Sequence, residues 1–229
     1  MIKPIFYTDL GHADFGWLDA RHHFSFGQYY DANRMGFGKL RVINDDVIQA
    51  GTGFDTHPHS NMEIITYVRQ GAITHKDSRG NEGKTKAGDV QVMSAGTGIQ
   101  HSEHNKESEA TNLYQIWIEP NQQNVEPRWD AHQFPNQEPV ESELSLLVSG
   151  DGTAPLSIHA DAKIYAGRLV EGQVIEQSID HNGYLLVSNG EVLVGEHSLS
   201  KGDAAEITDH QSLEIKAATE AEVLLIDVV

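Results

Sequence analysis

One turn pattern occurs twice in this chain, and it strongly limits the folds that the chain can adopt. In each copy a short apolar run ends at a glycine, a hairpin follows, and a Gly-Asp pair opens the next run. The copies are marked by Gly71 with Gly88-Asp89 and by Gly190 with Gly202-Asp203. Glycine permits a positive φ, and aspartate hydrogen-bonds to the backbone of its own turn. Two copies in matching contexts predict a duplicated unit built from β-hairpins.

Short apolar-alternating runs, separated by Gly, Asn, Asp and Pro, make up most of the sequence. No long segment shows a convincing 3.6-residue period, so the pattern favours an all-β sandwich or barrel. The predicted strands are 38–44, 63–68, 89–93, 112–118, 144–148, 164–169, 184–187, 191–194, 212–215 and 223–228.

A change in composition separates the two halves of the chain. Pro135, Pro139 and several polar residues cluster between Gln133 and Ser142, and such a stretch is typical of a linker. We therefore predict an N-terminal domain over residues 1–132, a linker over 133–143 and a C-terminal domain over 144–229.

The charge balance and the absence of cysteine exclude several classes of function. The chain carries 34 acidic and 16 basic residues, a net charge of −18, without a basic run, so we expect no direct nucleic-acid binding. It has no cysteine, which excludes disulfides and thiolate chemistry. No run approaches the roughly 20 apolar residues of a membrane span, and the first residues do not resemble a signal peptide. We therefore expect a cytoplasmic protein without membrane association.

Two short motifs carry candidate metal ligands, namely His57-x-His59 and His101-x-Glu103. Residues i and i+2 of a strand point to the same face, so each motif projects two ligand-type side chains in one direction. If the two strands are neighbours, three imidazoles and one carboxylate converge. This mixed set of nitrogen and oxygen ligands suits a divalent first-row transition metal.

Glu63 is a further acidic candidate close to the first motif. Strand parity puts it on the same face as His57 and His59, so it can reach inward. Because Glu103 already supplies a carboxylate, we favour a place for Glu63 in the wall beside the ligands. Direct ligation by Glu63 is the alternative.

The other histidines near these motifs are weaker candidates. His22, His23 and His104 have no partner at ligand spacing, and we expect none of them to bind a metal. His75 follows the motif strand, and we expect a satisfied wall histidine there.

The glycines around the two motifs complete a pattern that resembles the two sequence motifs of the cupin superfamily. It consists of Gly51-x5-His57-x-His59-x3-Glu63, Gly71, Gly88-Asp89, Gly96-x-Gly98 and His101. Several segments are also similar, taken together, to the N-terminal signature of the bacterial pirin family, namely 16–18, 22–26, 30–31, 41–46, 56–59, 62–64 and 93–103. The second half resembles that family only in its degenerate cupin outline.

The resemblance implies an all-β bicupin, with two jelly-roll β-barrel domains of which only the first holds a metal. The ligand positions of the family fall on His57, His59, His101 and Glu103, the same four that strand geometry selects. One divalent metal ion is implied, with Fe(II) as the first choice and Zn, Mn, Co, Ni or Cu as alternatives.

The resemblance also implies an activity, because similar bacterial proteins act as quercetin 2,3-dioxygenases. Such an enzyme cleaves the heterocycle of a flavonol with O2 and releases carbon monoxide. Glu103 is then the candidate catalytic residue, acting as general base as well as ligand. Animal members are nuclear, iron-containing co-regulators, so a non-enzymatic iron-binding redox sensor with a protein partner is the alternative hypothesis. A third is that quercetin replaces another planar enol or catechol-like substrate.

Overall fold

Regular structure in this protein consists almost entirely of β-strands, as the alternating sequence pattern predicts. The computed structural model describes residues 1–134 and 138–229. Within these residues a single 3-10 helix, Tyr7–Asp9, accompanies the strands. None of the described helical structure is long and apolar enough to cross a membrane.

The chain folds into two compact units, and each unit is built from segments that are not contiguous in the sequence. The histidine unit, as we name it, comprises Gly11–Phe134 and Leu156–Ala160. The C-terminal unit comprises Met1–Leu10, the described part of Pro135–Pro155, and Asp161–Val229. Part of the predicted linker, residues 135–137, lies outside the described residues.

The two short segments, Met1–Leu10 and Leu156–Ala160, are each held in their unit by strand pairing or hydrogen bonds. Amino-acid composition does not reveal these contacts. In the C-terminal unit, the first strand, Ile2–Ile5, pairs in antiparallel fashion with Ala204–Ile207. In the histidine unit, the Arg128 guanidinium donates hydrogen bonds to Ser157. The units therefore differ from the predicted domain boundaries at residues 1–10 and 156–160.

Two antiparallel sheets, which include every strand of the unit except the two-residue β14, form the histidine unit. Its strands are β2 (Gly11–Asp14), β3 (Leu18–His22), β4 (Leu40–Ile48), β5 (Gly53–His59), β6 (Glu63–Gln70), β7 (Ala72–Asp77), β8 (Glu82–Lys86), β9 (Val90–Ser94), β10 (Ile99–His104), β11 (Thr111–Ile118), β12 (Arg128–His132) and β14 (Leu156–Ser157). The larger sheet has the order β12-β9-β6-β11-β4-β3-β2, and the smaller sheet has the order β5-β10-β7-β8.

The C-terminal unit repeats this arrangement. Its strands are β1 (Ile2–Ile5), β13 (Ser145–Ser149), β15 (Ala162–Leu169), β16 (Val174–Ser178), β17 (Asn182–Asn189), β18 (Glu191–Val194), β19 (His197–Ser200), β20 (Ala204–Ile207), β21 (Ser212–Ala217) and β22 (Ala221–Val228). One sheet runs β1-β20-β17-β22-β15-β13, and the other runs β16-β21-β18-β19. The segment β9-β6-β11-β4 of the first unit thus corresponds to β20-β17-β22-β15 of the second.

The predicted duplication is confirmed at the level of individual turns. Gly88 and Gly202 have φ angles of 87° and 91°, a region that glycine adopts without steric cost. The Gly88 N–H donates to the carbonyl oxygen of Val68 at 2.8 Å, and the Gly202 N–H donates to that of Val187 at 2.8 Å. The same turn therefore closes the same hairpin in both units.

The interiors of the two units differ in polarity. Between the sheets of the C-terminal unit lies one apolar cluster that includes Leu185, Leu213, Ile215 and Leu225. The described interior of the histidine unit contains smaller apolar clusters, and buried polar side chains lie between its sheets. Those polar side chains surround the candidate site.

Candidate metal centre

Two neighbouring strands bring the predicted imidazole ligands together. β5 and β10 are antiparallel partners in the smaller sheet, and His57 lies opposite His101 in their register. The ring centroids of His57 and His101 are 4.5 Å apart, those of His57 and His59 are 4.8 Å apart, and those of His59 and His101 are 5.0 Å apart. One nitrogen from each ring lies within 4.8 Å of the other two. The expectation that the two motif strands are neighbours is confirmed.

Hydrogen bonds to two of these rings leave a nitrogen available for a metal. The Nδ1–H of His57 donates to the carbonyl oxygen of Asp55 at 2.7 Å, which leaves Nε2 with its lone pair. In His101 the Nδ1 atom lies 3.3 Å from His75 Nδ1. Its Nε2 atom is buried without a hydrogen-bond partner. Since a buried polar atom is normally paired, this unpaired nitrogen fits a ligand for an ion.

Burial keeps two of the imidazoles in the form that binds metals. Burial, together with the neighbouring histidines, lowers the pKa of His101 to about 2. Burial and then His57 lower the pKa of His59 to about 4. Both rings are therefore neutral at pH 7, and the neutral imidazole is the ligating species.

Glu103 lies deeper than the imidazoles and is held by amide side chains. Its carboxylate accepts hydrogen bonds from Gln91 Nε2 at 2.5 Å, Gln115 Nε2 at 2.6 Å and Thr66 Oγ1 at 3.2 Å. It forms a triad with His101 and His75 rather than with His57 and His59. The structure therefore brings His57, His59 and His101 together and places Glu103 in a second triad that shares only His101 with the first.

Burial changes the protonation behaviour of Glu103 as well as its position. The side chain is only 3% exposed, and this burial raises its pKa above the ordinary value, although His75 and the hydrogen bond from Gln115 oppose the shift. A carboxylate with a raised pKa is better matched to proton transfer near neutral pH.

His75 and Asp77 form a support for His101 that the sequence analysis did not assign. The Nε2–H of His75 donates to Asp77 Oδ2 at 3.0 Å, so its Nδ1 accepts from His101 Nδ1–H. The His75 ring also stacks on Trp129 with a centroid distance of 5.0 Å and an interplanar angle of 9°. Such partners fix the tautomer and orientation of a ligand imidazole. The His-x-Asp spacing on one strand face was the available signal.

Glu63 is separate from both triads. Ser94 Oγ donates to Glu63 Oε2 at 2.7 Å, and Glu63 is absent from the clusters of ligand atoms among the described residues. Its neighbour Ile64, rather than Glu63, lines the cavity beside the imidazoles. The expectation that Glu63 reaches inward beside the ligands is therefore wrong, because Glu63 begins β6 in the larger sheet whereas His57 and His59 lie on β5 in the smaller sheet.

The remaining histidines of the sequence analysis lie outside the imidazole triad. His22 lines the same cavity and bonds Asn44 at 2.8 Å. His23 is buried at 1% exposure, and His104 lies 3.6 Å from an Asp55 carboxylate oxygen. None of these three histidines belongs to a cluster of ligand atoms among the described residues.

The imidazoles line a cavity of about 800 Å³ inside the histidine unit. Its walls carry aromatic side chains in edge-to-face pairs, with Trp17 and Phe54 at 5.2 Å and Phe26 and Trp117 at 5.4 Å. Trp117 also contacts His59, at a centroid distance of 4.9 Å. An apolar cavity of this volume with a few convergent polar groups is typical of a small-molecule site.

Comparison with known proteins gives one consistent result over the whole chain. Residues 7–118 match the family model described as Pirin, and residues 146–228 match the model of the quercetinase C-terminal cupin domain. A pirin-like protein of Caulobacter vibrioides is 48% identical over 229 residues, covering 98% of this chain and 97% of the relative. A quercetin 2,3-dioxygenase of Escherichia coli is 44% identical over 223 residues, covering 96% of this chain and 95% of the relative.

A solved structure supports the same relationship. The bacterial pirin YhhW from Escherichia coli, in complex with nickel(II), has a TM-score of 0.93 and 43% identity to this chain. The match covers 100% of this chain and 99% of the other. Sequence, turn pattern and fold agree, and this chain belongs to the pirin family as a protein of two cupin domains.

Proposed function

We propose that this protein is a metal-dependent dioxygenase that cleaves the heterocycle of flavonols such as quercetin with O2 and releases carbon monoxide. The observation that carries the proposal is the convergence of three imidazoles on an aromatic-lined cavity of about 800 Å³. Relatives that share 44% identity over nearly the whole chain carry the name quercetin 2,3-dioxygenase.

His57, His59, His101 and Glu103 are the proposed ligands of one divalent ion. The unpaired Nε2 of His101 and the neutral rings of His59 and His101 support this set. Fe(II) is our first choice, and nitrogen and oxygen ligands of this kind also accept Zn, Mn, Co, Ni or Cu. The nickel(II) complex of a pirin relative supports a divalent ion of this class.

When bound, a divalent ion supplies Lewis acidity, which lowers the pKa of a coordinated hydroxyl group. Glu103 then accepts the proton of the substrate hydroxyl. Gln91 and Gln115 hold the carboxylate in place through the amide hydrogen bonds described above. Because Glu103 is buried, its raised pKa favours acceptance of that proton.

The aromatic walls orient the substrate and limit the entry of water. Trp117 contacts His59, and Phe54 lies 6.3 Å from His57 between ring centroids. A planar three-ring substrate held against these faces presents its oxygen atoms to the imidazoles. Offset and edge-to-face contacts between aromatic rings favour such binding.

The direct test is consumption of quercetin under air, with metal-loaded protein compared with metal-stripped protein. We expect loss of the flavonol and release of carbon monoxide only in the loaded sample. The absence of turnover in protein of measured metal content would contradict the proposal and favour a role in sensing or partner binding.

A further inference from the structure

The wall that the larger sheet contributes to the cavity carries a carboxyl group that the proposed reaction does not use. Asp46 lies on β4, is 1% exposed and lines the cavity. Its Oδ1 atom is buried without a hydrogen-bond partner. An unpaired buried carboxyl group destabilises the folded state, so its presence beside a cavity points to a ligand that completes its bonding.

The strand neighbours of Asp46 provide no hydrogen-bond partner for its carboxyl group. Its register neighbours on β3 and β11 are Ala20 and Leu113, whose side chains have no polar atoms. Burial, followed by the carboxylates of Asp45 and Glu103, raises the pKa of Asp46 well above its usual range. This shift favours the protonated carboxyl group, which can donate a hydrogen bond.

His22 provides an acceptor on the same wall. It lies opposite Asn44, two residues from Asp46 along β4, and lines the cavity. Its Nδ1–H donates to Asn44 Oδ1 at 2.8 Å, which leaves Nε2 as an acceptor. The ring is stacked near Tyr29, with centroids 6.2 Å apart and planes 20° apart, so its orientation is fixed.

We propose that Asp46 and His22 form a second binding subsite of the cavity, which binds a phenolic hydroxyl group of an aromatic substrate. The subsite lies on the larger sheet, whereas His57, His59 and His101 lie on the smaller one. A hydroxyl group both donates and accepts, so it satisfies the imidazole and the carboxylic acid together. The inference rests on the proposed function, because it assigns specificity within the same cavity. It predicts a preference for polyhydroxylated substrates.

The test is an anaerobic titration of protein of known metal content with two flavonols. Quercetin and 3-hydroxyflavone share the three-ring skeleton and the 3-hydroxyl, and only quercetin carries further hydroxyl groups. Trp17 and Trp117 line the cavity, so quenching of tryptophan fluorescence reports binding. Without O2 no turnover interferes with the measurement.

We expect wild-type protein to bind quercetin more tightly than 3-hydroxyflavone. Asp46→Leu reduces this preference by about five- to tenfold, the loss of roughly one hydrogen bond, and leaves the affinity for 3-hydroxyflavone unchanged. Asp46→Asn keeps a donor and most of the preference. Asp130→Asn, a change at an exposed residue that does not line the cavity, has no effect. If Asp46→Leu does not fold, His22→Phe serves as the second variant and also reduces the preference.

Thermal unfolding of the same variants separates recognition from a structural role. Asp46→Leu removes an unpaired buried carboxyl group, so we expect a higher Tm together with the weaker preference. Retention of the wild-type preference by Asp46→Leu and His22→Phe overturns the inference and leaves the proposed function standing. If the wild-type protein binds neither flavonol, the proposed function and the inference both fail.

Discussion

The two units of this protein share one strand arrangement and differ in what they place inside it. Across four neighbouring strands of the histidine unit, one row in register consists of Asn44, Gln115, Thr66 and Gln91. The row at the same place in the C-terminal unit consists of Tyr165, Leu225, Leu185 and Ala205. Thr66 and Leu185 each lie five residues before the glycine that ends the strand, which fixes the correspondence.

The smaller sheets differ in the same way. β10 and β21 occupy the same place, between two partners, in their sheets. β10 carries His101 and Glu103, whereas β21 carries Leu213 and Ile215, which belong to the apolar cluster. The polar row in the histidine unit fixes Glu103, and the apolar row in the C-terminal unit forms a closed core. One fold therefore supports either a site or a core, according to the side chains on its inner faces.

The largest expected effect is at the residue that both triads share. His101→Ala removes the central imidazole, and we expect loss of essentially all bound metal and activity. Metal content after dialysis, measured by elemental analysis, checks this. His104→Ala is the matched control, since His104 lies on the same strand with its side chain about one-third exposed. A His101→Ala protein that keeps one metal per chain would contradict the assignment.

A polar substitution in the apolar row of the C-terminal unit tests whether that row forms a closed core. Leu225 is fully buried. Leu225→Gln therefore removes apolar contacts in the core and buries an amide group without a hydrogen-bond partner. We expect a loss of about 3–5 kcal/mol in the free energy of unfolding, measured with denaturant. Leu225→Met conserves volume and should cost less than about 1.5 kcal/mol. Equal costs for the two variants would refute the view that this row is a closed core.

The support behind His101 should matter for metal affinity more than for folding. His75→Phe keeps the stacking on Trp129 and removes the bonds to Asp77 and His101. We expect the metal to bind about 10–100-fold more weakly, as measured by competition with a chelator. Unchanged affinity in a well-folded variant would show that the His101 orientation does not depend on His75.

A difference in acid stability is expected from a buried imidazole of the histidine unit. Burial, with Arg34 and Arg69 nearby, lowers the pKa of His23 to about 3. His23 is therefore protonated below about pH 6.5 in the unfolded chain but only below about pH 3 in the folded chain. As the pH falls through this range, the free energy of unfolding of the wild-type protein should decrease, relative to that of His23→Leu, by up to about 1.4 kcal/mol per pH unit. Denaturant unfolding of metal-free protein at several pH values checks this, and parallel curves would contradict it.

Sequence alone predicts the β class, the duplication and the pairing of ligands within each motif, because each depends on local spacing. Strand parity places His57 and His59 on one face, and the Gly-Asp turns mark both hairpins. Register between distant strands cannot be read from local spacing. The row that holds Glu103, the contact of His75 with His101 and the pairing of Ile2–Ile5 with Ala204–Ile207 all depend on register. The same limit applies to Asp46, whose environment is set by β3 and β11.

The proposed ligand set is tested most directly by the position of the metal in crystals of the metal-loaded protein, located by anomalous scattering. We expect one strong peak per chain, within bonding distance of His57, His59 and His101 nitrogens and a Glu103 oxygen, and no peak in the C-terminal unit. A peak in the C-terminal unit, or a metal bound in the histidine unit without these side chains, would contradict it.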